Sequence, residues 1–177
     1  MVVDRSATTG GTGGTLRQEI GGTGVTLERL AHEALAARES AFAPHSGFKV
    51  GAALLTPGGR IFRGANVEAA AYSMTNCAER VTIQKAVSEG ERSFIALAVA
   101  ADASYLRSPS EGGPGVQGED PGDCLERFVT PCGACRQVIF EFGPEASIVL
   151  VDLEGGRHLT SARELLPGGF RLGGFRA

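Results

Sequence analysis

Tryptophan is absent from this 177-residue chain, and tyrosine and methionine occur only twice each. Stacking platforms for single-stranded bases draw on aromatic rings, and two of the three aromatic types are absent or scarce here. A basic excess is missing as well: 17 Lys plus Arg stand against 20 Asp plus Glu, a net charge of -3. That balance argues against a nucleic-acid partner. No long hydrophobic run exists either, since the longest unbroken apolar stretch is Phe94–Ala101, against about 20 residues for a membrane-spanning helix. The first 24 residues are rich in Thr and Gly and lack the apolar centre of a secretory leader. Four cysteines without such a leader point to a reducing cytoplasm, where paired cysteines more often bind metal than bridge.

Glycine marks where the fold is not. Seven of the first 24 residues are Gly, a composition that cannot offset its ordering entropy, so residues 1–24 are expected to be a disordered tail. Residues 104–127 hold five Gly, three Pro and five acidic residues against two Arg, and read as a polar insertion. The remaining chain, about 130 residues, suffices for one buried core, so residues 25–177 are expected to form a single catalytic domain carrying that insertion.

Within it, Thr26 caps an expected helix whose apolar positions Leu27, Leu30, Ala31, Ala34 and Leu35 follow the helical period. Residues 50–55 and 60–67 are strand-like and flank Pro57-Gly58-Gly59, a hairpin signal. Asn76 is expected to cap a helix over 77–89, with Gly90 at its end. Residues 94–101 read as a strand buried on both faces. Pro131 fits the start of a third helix reaching Phe142. Residues 147–151 form a further strand before the turn at Glu154-Gly155-Gly156, and Ser161-Ala162-Arg163-Glu164 is a capping box opening a last short helix. This alternation predicts an α/β fold with a mixed sheet.

Two segments carry chemistry: Cys77-Ala78-Glu79-Arg80 and Pro131-Cys132-Gly133-Ala134-Cys135. Cys132 and Cys135, one helical turn apart, can chelate one zinc at about 2.3 Å, and Cys77 at another helix start supplies a third thiolate. Helix N-termini favour the thiolate forms. Three protein ligands leave the fourth position open, as in a catalytic zinc site. Glu79, two residues from a ligand, is placed to move protons for an activated water. The three histidines, His32, His45 and His158, have no metal-ligand spacing.

These segments, the second continued by Arg136-Gln137, together with Phe48-Lys49-Val50-Gly51-Ala52-Ala53-Leu54, Asn66-Val67-Glu68, Ala71-Tyr72-Ser73 and Leu165-Leu166-Pro167-Gly168-Gly169-Phe170, resemble the small zinc-dependent cytidine deaminases of pyrimidine salvage. The resemblance runs from about Phe42 to Phe170 and skips the insertion. It implies a three-layer α/β/α sandwich with a mixed five-stranded sheet, and hydrolysis of cytidine or 2'-deoxycytidine at C4 to the uridine product and ammonia. It implies one Zn²⁺ per chain on Cys77, Cys132 and Cys135, with Glu79 as general acid/base and Arg80 beside the thiolates. Arg80 would withdraw negative charge that three thiolates place on the site. By the same resemblance, Asn66 and Glu68 hold the ribose hydroxyls, Phe48 packs beside the nucleoside and the Ala78 amide meets the pyrimidine carbonyl. A homotetramer is implied, in which Phe170 stacks on the base in a neighbouring subunit. Ala69 and His45 depart from the family pattern, which often has Asn and Tyr there.

Other readings of the same residues exist. Cys124 could close a structural four-thiolate zinc site, though Glu79, Asn66 and Glu68 would then have no purpose. A deaminase acting on cytosine in nucleic acid would need a positive groove and stacking rings. Another aminopyrimidine nucleoside, as in blasticidin deaminases, would share the zinc motif.

Overall fold

The computed structural model describes residues 16–106 and 128–171. Its elements in chain order are α1 (Leu27–Arg38), β1 (Val50–Leu55), β2 (Ile61–Ala65), α2 (Ala78–Ser88), β3 (Ala96–Ala101), α3 (Gly133–Phe142), β4 (Ser147–Val151), β5 (Arg157–Ser161) and α4 (Ala162–Leu165). The five strands form one sheet in the order β2-β1-β3-β4-β5. Only β3 and β4 run parallel. A parallel pair needs a crossover, and α3 lies in the chain between them. The sheet is mixed, as expected.

Alternation along the strands divides the core into two layers. On one face Ala53, Leu55, Ala96, Ala98, Ala100, Val149 and Val151 pack with Leu27, Leu30, Ala31 and Ala34 of α1. On the other, Ala52, Leu54, Leu97, Val99, Ile148 and Leu150 pack with Ala78 and Ile83 of α2, Ile139 and Phe140 of α3, and Leu165 of α4. This is a three-layer α/β/α sandwich. Its helices sit close: a Cβ on Gly51 would lie 2.2 Å from the Ala34 carbonyl oxygen, and one on Gly64 would lie 2.5 Å from Thr82 Oγ1. Glycine at 64 therefore lets α2 rest directly on β2. Thr82 Oγ1 also donates to Ala78 O of its own helix at 2.7 Å and lies 3.4 Å from Ala52 O of β1, sharing its one proton weakly with it. The first turn of α2 is thereby held against the sheet.

Several boundaries differ from the sequence reading. Residues 16–24 are not a tail. Leu16 and Val25 are buried, Ile20 packs beside them, and Ile20 N donates to Val25 O at 2.8 Å across a turn containing Gly21, Gly22 and Gly24 at positive φ. The glycines there make a turn that packs on the core. Residues 1–15 and most of the 104–127 insertion, Cys124 included, lie outside the described residues. The second strand stops at Ala65 instead of Val67, because the Asn66 side chain takes over the pairing with Val50 N. Cys77, not Asn76, caps α2, and Cys132 caps α3 with Pro131 just outside. The third strand begins at Ala96; Phe94 is buried ahead of it. Strand β5 had no apolar pattern to announce it: Arg157-His158-Leu159-Thr160-Ser161 is mostly polar and becomes a strand by pairing with β4. The capping box on Ser161 forms as expected, with Ser161 Oγ accepting from Glu164 N and the Glu164 carboxylate from Ser161 N.

Candidate active site

Helices α2 and α3 lie on the same face of the sheet, and their N-termini bring three cysteines together. Cys77 is the N-cap of α2 and Cys132 the N-cap of α3, while Cys135 is one turn into α3 and fully buried. Their three Sγ atoms lie within 4.8 Å of one another, with Cys77 and Cys132 3.9 Å apart. Two thiolates on a tetrahedral zinc, each at 2.3 Å, would be separated by about 3.8 Å. The donor set and its spacing thus fit zinc before any ion enters. Among the described residues this is the one such cluster.

Neither cysteine makes a side-chain capping hydrogen bond. The first-turn amides of both helices therefore keep their positive ends turned to the thiol cluster. The thiols differ in acidity. A hydrogen bond from Cys135, then Arg80 and Cys132, pull Cys77 down to about 5 against the cost of burial. Cys135 moves the opposite way, raised by its bond to Cys77, by burial and by the charge of Glu79.

Arg80, one turn along α2 from Cys77, donates from Nη2 to Thr75 O at 2.8 Å and approaches Cys77 Sγ at 4.0 Å. Its Nε is buried with no hydrogen-bond partner. A buried, unpartnered guanidinium donor is costly unless a negative charge lies nearby. Thiolates gathered on a cation provide that charge.

Glu79 is 4% exposed. Burial raises its carboxyl to about 7, helped by the Cys77 charge and opposed by hydrogen bonds to its own backbone amide and to Cys135. A carboxyl poised there exists in both protonation states at neutral pH, which is what a group that accepts and returns protons requires.

The segment after β2 reaches this cluster through a two-way backbone bridge. Val67 N donates to Asn76 O at 2.9 Å and Asn76 N to Val67 O at 3.0 Å. Residues 66–68 are thus anchored beside the residue that precedes Cys77. Asn66 is buried, and its side chain bonds backbone on both sides: Val50 N donates to Oδ1 at 2.8 Å and Nδ2 donates to Phe48 O at 2.9 Å. Phe48 is half-buried against the core face that holds α2 and α3. Glu68 is buried too; its Oε2 accepts from His45 N at 2.8 Å and Ser46 N at 3.2 Å, and its Oε1 accepts from Ser46 Oγ. These bonds, Ser46 Oγ foremost, hold its carboxyl below the usual range against burial. Ala78 is fully buried at the start of α2.

The structure therefore brings Cys77, Cys132, Cys135, Glu79 and Arg80 into one site, with Asn66 and Glu68 bridged to its edge. Phe170 stands apart in character. The residue is 67% exposed, while Gln137 Nε2 of α3 donates to its carbonyl oxygen at 3.0 Å. Two residues that sequence reading left without a role also shape the site. Ser46 binds Glu68. Arg136 donates to Pro131 O at 2.7 Å, Thr130 Oγ1 at 2.9 Å and Leu165 O at 3.1 Å, tying the loop before Cys132 to α4. In the sequence Arg136 stands only as part of the stretch from Pro131 to Gln137 that resembles the deaminase motif.

Comparison with known proteins agrees with this geometry. A family model described as the cytidine and deoxycytidylate deaminase zinc-binding region matches residues 25–151. A cytidine deaminase of Sporosarcina psychrophila is 47% identical over 81% of this chain and 90% of its own length. A blasticidin-S deaminase of Bacillus cereus is 33% identical over 67% of this chain and 74% of its own. The crystal structure of a cytidine deaminase from Burkholderia pseudomallei superposes with a TM-score of 0.67 at 41% identity, covering 82% of this chain and all of that one. With its zinc-binding cysteines and buried glutamate already assembled by the fold, the chain belongs to the cytidine and deoxycytidylate deaminase family.

Proposed function

We infer that this chain is a zinc-dependent hydrolase that converts cytidine and 2'-deoxycytidine, with water, to uridine or 2'-deoxyuridine and ammonia. One observation carries the reading: three sulfurs within 4.8 Å of one another, with the buried carboxyl of Glu79, its pKa raised, two residues after Cys77. Cys77, Cys132 and Cys135 hold one Zn²⁺, which when bound supplies Lewis-acid activation of a water. Glu79 takes a proton from the attacking water and delivers it to N3 of the ring as C4 is attacked. It then carries the second proton to the departing amine, so that ammonia leaves and the C4 carbonyl forms. Arg80 stays paired with the thiolates and draws off part of their charge. Asn66 fixes the backbone of Phe48 and Val50 and, with Glu68, holds the ribose hydroxyls, Phe48 packs beside the nucleoside and the Ala78 amide meets the pyrimidine carbonyl.

The test is direct. Purified protein should consume cytidine, followed by loss of cytosine absorbance, and chelation should stop it. Glu79→Gln should retain zinc and lose about 10²- to 10⁴-fold in kcat; activity near that of the parent would remove Glu79 from the chemistry. Cys124→Ser should keep one zinc per chain, whereas loss of metal would favour the four-thiolate structural site. The relative that acts on blasticidin S makes that nucleoside the natural competitor substrate to assay alongside.

We further infer a homotetramer acting in the cytoplasm. Phe42, Tyr72, Met74 and Phe170 are all more than half exposed, which is unusual for large apolar groups on a monomer and fits subunit contacts. Cys77, Cys132 and Cys135 are free thiols, consistent with a reducing compartment. Light scattering gives the mass. Phe170→Ala should raise KM for cytidine with zinc unchanged; a fully active monomer would defeat the shared site.

A further inference from the structure

The loop between α1 and β1 is built around one carboxylate. Gly47 takes a positive φ of 70° and donates its N–H to Ala43 O at 3.0 Å, which turns the chain back on itself at residues 43–47. That turn presents two consecutive amides, His45 N and Ser46 N, to Glu68 Oε2. The Ser46 hydroxyl donates to Glu68 Oε1 and accepts from Phe48 N at 2.9 Å. A carboxylate offers about four lone-pair positions. Three are filled by these donors, so among the described residues a single position remains, on Oε1, the oxygen that Ser46 Oγ holds. An acceptor with one position left, and no proton of its own, suits one incoming hydroxyl.

We propose that Ser46 is a positioning residue for nucleoside binding: its hydroxyl locks the Glu68 carboxylate so that a single acceptor position faces one hydroxyl of the sugar. This rests on the reading of Glu68 as the acceptor for a ribose hydroxyl. The Ser46 hydroxyl does two jobs at once, because the Phe48 amide bound to it also fixes the backbone of the ring expected beside the nucleoside. Without the hydroxyl the carboxylate keeps its two amide donors on Oε2 and is free to swing at Oε1. The loss falls on sugar recognition and leaves the proton chemistry at Glu79 in place.

The experiment compares cytidine with 2',3'-dideoxycytidine, which lacks both secondary sugar hydroxyls and keeps only the 5'-hydroxyl, so the hydroxyl that Glu68 accepts is taken to be one of the two on the ring. Ser46→Ala should lower the ratio of the two kcat/KM values about tenfold, the scale of one hydrogen bond to a charged group, with the change in KM for cytidine and not in kcat. Ser46→Thr, which keeps the hydroxyl, should restore the ratio. Adding Ser46→Ala to Glu68→Ala should change the ratio no further, since both act through one contact. Equal losses on both substrates, no loss on either, or additive losses in the double variant would overturn the role of Ser46. The underlying reading is checked by Glu68→Ala alone: if that variant does not itself lower the ratio, Glu68 is not the sugar acceptor and both ideas fall. Should Glu68→Ala lower it while Ser46→Ala does not, only the Ser46 proposal fails.

Discussion

Helices α1 and α4 begin in one way, and α2 and α3 in another. Thr26 Oγ1 accepts from Arg29 N at 3.1 Å, and Ser161 closes a full capping box with Glu164. At α2 and α3 the same N-cap position is held by Cys77 and Cys132, which make no side-chain capping bond although their backbones have the usual extended cap conformation. Cysteine ranks poorly beside serine or threonine as a cap. A cap is worth about 1 kcal/mol, so two helix starts forgo stability that their backbones are shaped to receive. What they gain is a pair of sulfurs at the positive ends of two dipoles, within reach of a third. Stability and chemistry compete for one position, and in this fold the outcome differs between helices.

At Cys132 one substitution separates stability from chemistry. Serine there would abolish the three-thiolate site, so zinc content and deamination should both be lost, the latter by at least about 10³-fold. The same substitution supplies the missing cap. With zinc chelated, Cys132→Ser should therefore melt slightly above the parent, by about 1 kcal/mol in stability. With zinc present the order should reverse, because only the parent gains stability from metal binding. Calorimetry with and without chelator reads both signs. A variant that melts below the parent in both conditions would show that the N-cap at residue 132 is not limited by its side chain.

Ser161→Ala should cost about 1 kcal/mol, a fall of about 2–4 °C in Tm for a chain of this size. Zinc content and kcat should stay as they were, since Ser161 contributes to neither helix that bears sulfur. Urea unfolding beside steady-state kinetics decides it. A fall in kcat would instead mean that α4, which receives Arg136 at Leu165 O, transmits strain to the loop before Cys132.

The chemistry was legible in the sequence because metal ligation is local: two cysteines one turn apart, with a glutamate two residues from the third, need little tertiary context. The capping box on Ser161 and the cap on Thr26 were legible for the same reason. Where tertiary pairing decided the structure, local pattern failed. Strand β5 is polar and exists because β4 offers it an edge. The end of β2 depends on Asn66 replacing a backbone partner, and composition cannot show that. Residues 16–24 looked too rich in glycine to order, yet their glycines make the turn that lets Leu16 and Ile20 reach the core. Ser46 was invisible for a related reason, since its meaning lies in a contact with Glu68, 22 residues away.

In the loop before β1, backbone amides find an acceptor in a third way. His45 N and Ser46 N, in a loop and not a helix, are satisfied by the Glu68 carboxylate as a cap would satisfy a first turn. Its pKa lies below the ordinary 4.5 because Ser46 and these amides favour the charged form over the cost of burial. An unfolded chain then takes up the proton first as the solution is acidified. The contribution of Glu68 to stability is complete above about pH 4.5 and is lost as pH falls through the lower, folded value. Glu68→Gln removes that titration and sets an amide against the same donors. In chelator, so that metal release at low pH plays no part, the parent should be more stable than Glu68→Gln at pH 6, and the gap should narrow by pH 3. Urea unfolding of both proteins across that range measures it. A gap that stays constant with pH would mean that the loop amides bind the two side chains equally well, and that charge adds nothing to this cap.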